Sequence, residues 1–177
     1  GLDGAHSTEF ISNPPHVLIS ELPDQKAIEG LGGTMRLGGQ DVDITSDSLA
    51  CHLYRDAKHV RERFRHRYEV EPDMIQQLEQ AGLIFSGRHP RQPIMQVLEL
   101  PRHVHPYFIG AQFHPELTSR PLAPQPMFMG LVASAILRAD PDRVDDARLA
   151  PWLYKGGEME GSDPSLHVPS PCNGSDG

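Results

Sequence analysis

Tyr107-Phe-Ile-Gly-Ala-Gln-Phe113, running straight into His114-Pro-Glu-Leu117, is the stretch on which the reading of this chain turns. Its apolar, β-forming residues predict a strand, and the unbroken apolar character predicts burial on both faces. Pro115 fixes the backbone as the strand ends. His114 and Glu116 are two residues apart, so on a regular strand they point the same way. A carboxylate placed there can orient an imidazole, and an oriented imidazole is a general acid–base group. The plainer alternative is a surface His-Pro-Glu turn without chemistry.

Around this stretch the elements alternate. His16-Val-Leu-Ile-Ser20 and Thr34-Met-Arg-Leu37 read as short strands, with a turn at Gly30-Leu-Gly-Gly33. Gly38-Gly39 is expected to reverse the chain into Asp41-Val-Asp-Ile-Thr45. Ser46 or Asp47 is expected to cap a short helix through Leu49-Ala50-Cys51. Arg61 to Val70 is densely charged but ends in β-formers. Pro72 opens a helix with Met74, Ile75, Leu78 and Ala81 on one face, and Gly82 stops it. Leu83-Ile-Phe85 and Pro93 to Leu100 read as strands joined by a polar turn at Ser86 to Pro90. Pro126 to Leu137 is apolar nearly all round and predicts a buried helix packed on the sheet. Two regions follow: residues 1–138 as a partial domain and 139–177 as a tail, mostly disordered, in which only Trp152-Leu-Tyr154 is apolar enough to dock.

Composition narrows the function classes. The chain has 177 residues and a net charge of -8. That charge argues against nucleic-acid binding, which needs basic patches. No stretch approaches the ~20 apolar residues of a membrane span. With a polar N-terminus and two separated cysteines, neither a secretory signal nor a disulfide framework is indicated, and the expected location is cytoplasmic. No metal site is predicted: His103 and His105 lack further ligands at metal spacing and read as loop residues.

Two further clusters draw attention. Arg65-His-Arg-Tyr-Glu69 is either a solvated strand face or a guanidinium fork for a carboxylate. Ser7-Thr-Glu-Phe10 is a weak helix-capping pattern whose carboxylate could pair with an ammonium group. A nucleophile for His114 is missing. The only cysteines are Cys51 and Cys172, and neither sits on a Gly-x-Cys-x-Gly turn. Cys51 reads as a small packed hydrophobe and Cys172 falls in the tail.

Taken in order, Ser7-Thr-Glu-Phe10, Gly32-Gly-Thr-Met-Arg-Leu-Gly38, Arg65-His-Arg-Tyr-Glu-Val70, Glu99-Leu-Pro101, His105-Pro-Tyr-Phe108, Gln112-Phe-His-Pro-Glu116 and Ser119-Arg-Pro121 resemble the class I (triad) glutamine amidotransferase domain of the CTP synthase family. The resemblance runs from about residue 5 to 137. It implies a flavodoxin-like α/β domain with a mostly parallel central sheet, its N-terminal part missing. It implies that His114 and Glu116 complete a Cys-His-Glu triad, and that Glu9 and Arg67 bind L-glutamine with Tyr68 beside them. The parent would convert UTP to CTP, as a homotetramer, using ATP with Mg²⁺ and a GTP activator in its synthetase domain. This part would need no cofactor of its own. Phe64 stands where the family often has histidine. No phosphate-binding Gly-x-x-x-x-Gly-Lys-Ser/Thr loop occurs here, and without the nucleophile the chain alone is expected to be inactive. Two alternatives remain at this point: a catalytically dead binding or regulatory module, and a stand-alone hydrolase using Cys51.

Overall fold

The computed structural model describes residues 2–21 and 36–154. The expected turn at Gly30–Gly33, the first residues of the Thr34–Leu37 strand, Cys172 and the tail from residue 155 lie outside the described residues. Eight strands are described: β1 Ala5–Ser7, β2 His16–Ser20, β3 Arg36–Ile44, β4 His59–His66, β5 Glu69–Val70, β6 Ile84–Arg88, β7 Met95–Glu99 and β8 Ile109–Ala111. Three helices accompany them: α1 Leu49–Leu53, α2 Ile75–Gln80 and α3 Pro126–Ala139.

The strands form two sheets, one ordered β1-β2-β5 and one ordered β4-β3-β6-β7-β8. Every pairing in the larger sheet is antiparallel. Among the described residues only β1 and β2 pair in parallel. The mostly parallel sheet implied by the family is therefore not what these residues build. A parallel pair needs a crossover over the sheet. Here the five-residue α1 is too short for one, and Arg55 and Asp56, at left-handed φ of 55° and 62°, turn the chain back beside β3.

Several local expectations change for the same reason: pairing decides where a strand ends. Gly38-Gly39 does not reverse the chain. β3 pairs with β4 without a break, from Arg36 opposite His66 to Asp43 opposite His59. Gly38 takes φ +79°, and the Arg61 guanidinium lies over Gly39, donating to its carbonyl at 2.7 Å. The polar turn expected from Ser86 starts later, because β6 continues through Arg88 on its partners β3 and β7. α1 is capped by Ser48 rather than Ser46 or Asp47: its Oγ accepts the Cys51 N–H at 3.0 Å. A second cap comes from far away, since the buried Glu99 carboxylate accepts the N–H groups of Leu49 at 2.8 Å and Ala50 at 3.1 Å. This is the anion site of a helix N-terminus filled from within. α2 forms as expected after a 3₁₀ turn at Pro72–Met74, and Gly82 follows it at φ +95°.

The main core joins Val42, Ile44 and Phe64 to Leu49, Ala50, Cys51 and Leu53 of α1, with Val97, Phe113 and Met127. β8 is shorter than expected and lies at the sheet edge, half-buried rather than covered on both faces. α3 also departs from the all-round burial expected of it. Met127, Gly130 and Ala133 are buried, while Phe128, Leu131 and Val132 are exposed. Beyond α3, two 3₁₀ turns at Pro141–Asp145 and Ala150–Trp152 bring Leu149 and Leu153 against Ala133. Ordered structure thus continues to Tyr154, whose hydroxyl donates to the Asp47 carbonyl.

α3 approaches the core through Gly130. A methyl group there would lie 2.7 Å from Leu53 Cδ2 and 2.7 Å from Tyr107 Cε2. Alanine gains about 1 kcal/mol in helix propensity, but overpacking of this kind costs about 1–3 kcal/mol. Gly130→Ala is expected to lower the midpoint of thermal unfolding by a few degrees in a calorimetric melt. An unchanged or raised midpoint would show that helix and core part at no cost.

Candidate functional site

The site is built where β8 leaves its sheet. Gln112 still follows the strand, its N–H donating to the Gln96 carbonyl at 2.8 Å. Phe113 turns inward, 2% exposed, and packs edge-on against Phe64 with ring centres 5.8 Å apart. Its burial pins the chain and sends the next side chain outward. His114 keeps an extended backbone, and its N–H donates to the Arg63 carbonyl at 2.9 Å. Pro115 then opens a 3₁₀ turn over Pro115–Leu117.

That turn is how the pair meets. His114 Nδ1 lies 2.8 Å from Glu116 Oε1. The contact expected on a regular strand is therefore made across a turn, where Glu116 is folded back onto the imidazole. In a neutral imidazole, a carboxylate accepting at Nδ1 places the proton there and leaves the lone pair on Nε2. The hydrogen bond from His114 holds the Glu116 carboxyl below its ordinary titration range, assisted by its own backbone and the nearby Arg65 charge. The His114 side chain is 34% exposed and Glu116 57%, so the imidazole remains reachable.

The other sequence-predicted residues lie around this turn. Tyr68 follows β4, and its carbonyl accepts Gln112 Nε2 at 2.6 Å, which ties it to the residue two before His114. Arg67 is exposed beside it, in the bend between β4 and β5. Glu9 is exposed in the turn after β1, its N–H donating to Ser7 Oγ at 3.2 Å. The smaller sheet links these segments: Thr8 N–H donates to the Ile19 carbonyl, and Ile19 on β2 pairs with Val70 on β5. The structure thus brings His114 and Glu116 into contact and Tyr68 within one bond of their strand. No hydrogen bond among the described residues joins Glu9 or Arg67 to the pair.

Phe64, the departure noted in the sequence, has a core role here as the partner of Phe113. Cys51 is buried at 4% exposure, and burial pushes its thiol up, away from thiolate. His105 caps a loop, its Nδ1 accepting the Tyr107 N–H at 3.2 Å. Among the described residues no group of three or more His, Cys, Asp or Glu side chains is gathered as for a metal ion, and no helix is long and apolar enough to cross a membrane.

Sequence reading missed three buried carboxylates: Glu62, Glu69 and Glu99. Glu69 accepts Arg36 Nε at 2.7 Å and His66 Nε2 at 2.8 Å. Burial pushes its carboxyl up, but these two donors outweigh burial and hold it below its ordinary range. Glu62 lies under the His114 turn and contacts Tyr54, Thr118 and Gln125. Its signal was present in the period of β4. Arg61, Arg63 and Arg65 share the outer face, which leaves Glu62 on the inner face with Phe64.

Comparison with known proteins gives this geometry a family. The glutamine amidotransferase class-I family matches residues 12–134. The CTP synthase of Natronomonas pharaonis is 49% identical over 142 residues, which are 80% of this chain and 25% of that protein. The CTP synthase of Frankia casuarinae is 42% identical, over 98% of this chain and 27% of that protein. The chain spans about a quarter of the length of these curated relatives. Among solved structures, the glutaminase domain of Trypanosoma brucei CTPS with bound acivicin superposes with a TM-score of 0.69 at 31% identity, over 77% of this chain and 52% of that one. The family match runs from before β2 into α3 and takes in the His114–Glu116 turn, and the chain belongs to the class-I glutamine amidotransferases.

Proposed function

We propose that this chain supplies the histidine and carboxylate of a Cys-His-Glu glutaminase that feeds ammonia to a CTP synthase. The observation that carries this reading is the His114 Nδ1–Glu116 Oε1 contact of 2.8 Å, an arrangement that suits a neutral imidazole acting as base at Nε2. In this reading a cysteine that is neither Cys51 nor Cys172, supplied from outside this chain, gives its thiol proton to Nε2, and the thiolate attacks the side-chain amide carbon of L-glutamine. His114 returns the proton to the departing nitrogen, so that ammonia leaves and a thioester remains. Nε2 then takes a proton from water, whose attack on the thioester releases glutamate and regenerates the thiol. Glu116 stays ionised throughout, holding the tautomer and stabilising the imidazolium.

Arg67 offers a planar fork for the substrate α-carboxylate and Glu9 a partner for its α-ammonium group, with Tyr68 beside them. The ammonia passes to a synthetase domain of the same cytoplasmic, homotetrameric enzyme, where UTP is aminated to CTP. ATP with Mg²⁺ and the GTP activator act in that larger protein.

Two results test the reading. In the whole synthase carrying this chain, His114→Ala is expected to cut glutamine-dependent CTP formation by about 10⁶-fold and Glu116→Ala by about 10⁴-fold, as in comparable triad enzymes. CTP formation from added ammonium should survive in both. Glutamine use persisting in His114→Ala would sink the proposal. The 177-residue chain alone should release no ammonia from glutamine above a buffer blank, because its described cysteine is buried and held as thiol.

The depressed Glu116 carboxyl gives a pH test. A folded value below the unfolded one means that the ionised pair is present above the ordinary carboxylate range and is lost as pH falls through the folded value. The Glu116 carboxyl carbon, followed by NMR, should titrate below free glutamate, and His114→Ala should move it upward. A titration indifferent to His114 would mean that the contact is not made in solution.

A further inference from the structure

The turn that holds the pair is fastened to β4 at two consecutive residues. At its start, the His114 N–H donates to the Arg63 main-chain carbonyl at 2.9 Å. At its end, Thr118 Oγ1 lies 3.0 Å from Glu62 Oε2. Between these two bonds stand Pro115, Glu116 and Leu117 alone. The Thr118 hydroxyl also lies 3.1 Å from the Pro115 carbonyl, but one proton serves one acceptor best, and a carboxylate is the stronger acceptor.

Glu62 is 5% exposed, and its hydrogen-bond partners are neutral. Its Oε1 accepts the Tyr54 hydroxyl at 2.7 Å and Gln125 Nε2 at 3.2 Å. Gln125 in turn caps α3, its Oε1 accepting the Met127 N–H at 2.7 Å, and its main-chain N–H donates to Ser119 Oγ at 3.2 Å. One carboxylate therefore gathers the end of α1, strand β4, the start of α3 and the last residues of the His114 turn. A buried carboxylate without a cationic partner is expensive to keep, and filling the same space with an apolar side chain would be the cheaper way to stabilise a core. A gain in geometry accounts for its presence better than a gain in stability.

We infer that Glu62 is a positioning residue of this site, acting through Thr118 to hold the 3₁₀ turn that folds Glu116 back onto His114. The inference deepens the glutaminase reading and rests on it for its catalytic consequence. Glu62 touches no reacting atom. Its effect is on the orientation of the imidazole, where a displacement of about 1 Å can cost about 10²-fold in rate.

The test uses Thr118→Val, which keeps the shape of the side chain and removes the hydroxyl, with Thr118→Ser as the rescue. In the whole synthase, Thr118→Val is expected to lower kcat for glutamine by about 10²-fold with KM changed by less than about threefold, and Thr118→Ser to return kcat to within about threefold of the parent. In the 177-residue chain, ¹⁵N NMR of His114 at alkaline pH should show the Nδ1–H tautomer in the parent and in Thr118→Ser. In Thr118→Val it should shift toward Nε2–H, as it should in Glu116→Ala. Where Thr118→Val fails to fold, Glu62→Gln is read in the same two ways, since its amide can still accept from one hydroxyl but the Thr118 bond is weakened. A parent-like tautomer and parent-like kcat in Thr118→Val, or in Glu62→Gln where that variant is used, would overturn the inference. An inactive parent enzyme would overturn the glutaminase reading alone, and the NMR tautomer would still decide whether Glu62 and Thr118 position His114.

Discussion

The pleat of β4 is the constraint on which the site depends. Successive side chains of a strand alternate between its two faces, and here both faces are used by one short run. Inward, Phe64 meets the ring of Phe113 and so fixes where the chain must cross before His114. Also inward, Glu62 receives the Thr118 hydroxyl at the far end of the turn. The backbone between them, at Arg63, takes the His114 N–H. Outward, Arg65 adds positive potential near Glu116. A one-residue slip of β4 against β3 would exchange all of these at once, placing arginines in the core and Phe64 in water. Eight consecutive residue pairs between β3 and β4 set that register.

Buried carboxylates do much of the remaining work, and each draws on a different set of donors. Glu99 takes two helix N–H groups, so its charge meets the positive end of α1. Glu69 takes a guanidinium and an imidazole, and these donors outweigh its burial. Glu62 takes two hydroxyls and an amide. Burial and the neighbouring Glu62 together push the Tyr54 phenol well above its ordinary range, which keeps its proton available for donation. The three sites join elements that are distant in sequence: Glu99 ties β7 to α1, Glu69 ties β5 to β3, and Glu62 ties β4 to α1, the His114 turn and α3. Each carboxylate admits few arrangements of its donors, which suits a fold whose strands are short, although Glu69 Oε2 is buried without a hydrogen-bond partner among the described residues.

What could be read from the sequence was whatever local chemistry decides. The His114–Glu116 couple, the strand at His16–Ser20, the proline-opened α2 and its glycine stop all follow from residue type and spacing. What could not be read depends on partners. Gly38-Gly39 has the composition of a turn, yet β4 pairs along it and the strand runs through it. The apolar run before His114 suggested a strand covered on both faces, but β8 has a neighbour on one side only among the described strands. α3 is apolar all round in sequence, and only the side carrying Met127, Gly130 and Ala133 meets the core. The sheet direction was beyond reach for the same reason, because the short α1 can be seen to turn back rather than cross over only once Arg55 and Asp56 are placed. Glu62 was hidden by its company. In a run of arginines its charge looked like part of a solvated face, although alternate spacing sets it apart from them.

The geometry of the pair is intrinsic to this chain. Each bond that fixes His114 and Glu116 relative to one another comes from residues between Tyr54 and Met127. None of them requires a nucleophile or a substrate to be in place. That matters for catalysis, because orientation established during folding need not be paid for at the moment of reaction. An imidazole two-thirds covered, with its Nδ1 committed to a carboxylate, has one free nitrogen and one direction in which to use it. A thiol brought to that nitrogen would meet a base already in its working tautomer. On the proposed reading, the half of the triad that moves protons would be built by one strand and one 3₁₀ turn, separately from the half that forms bonds to carbon.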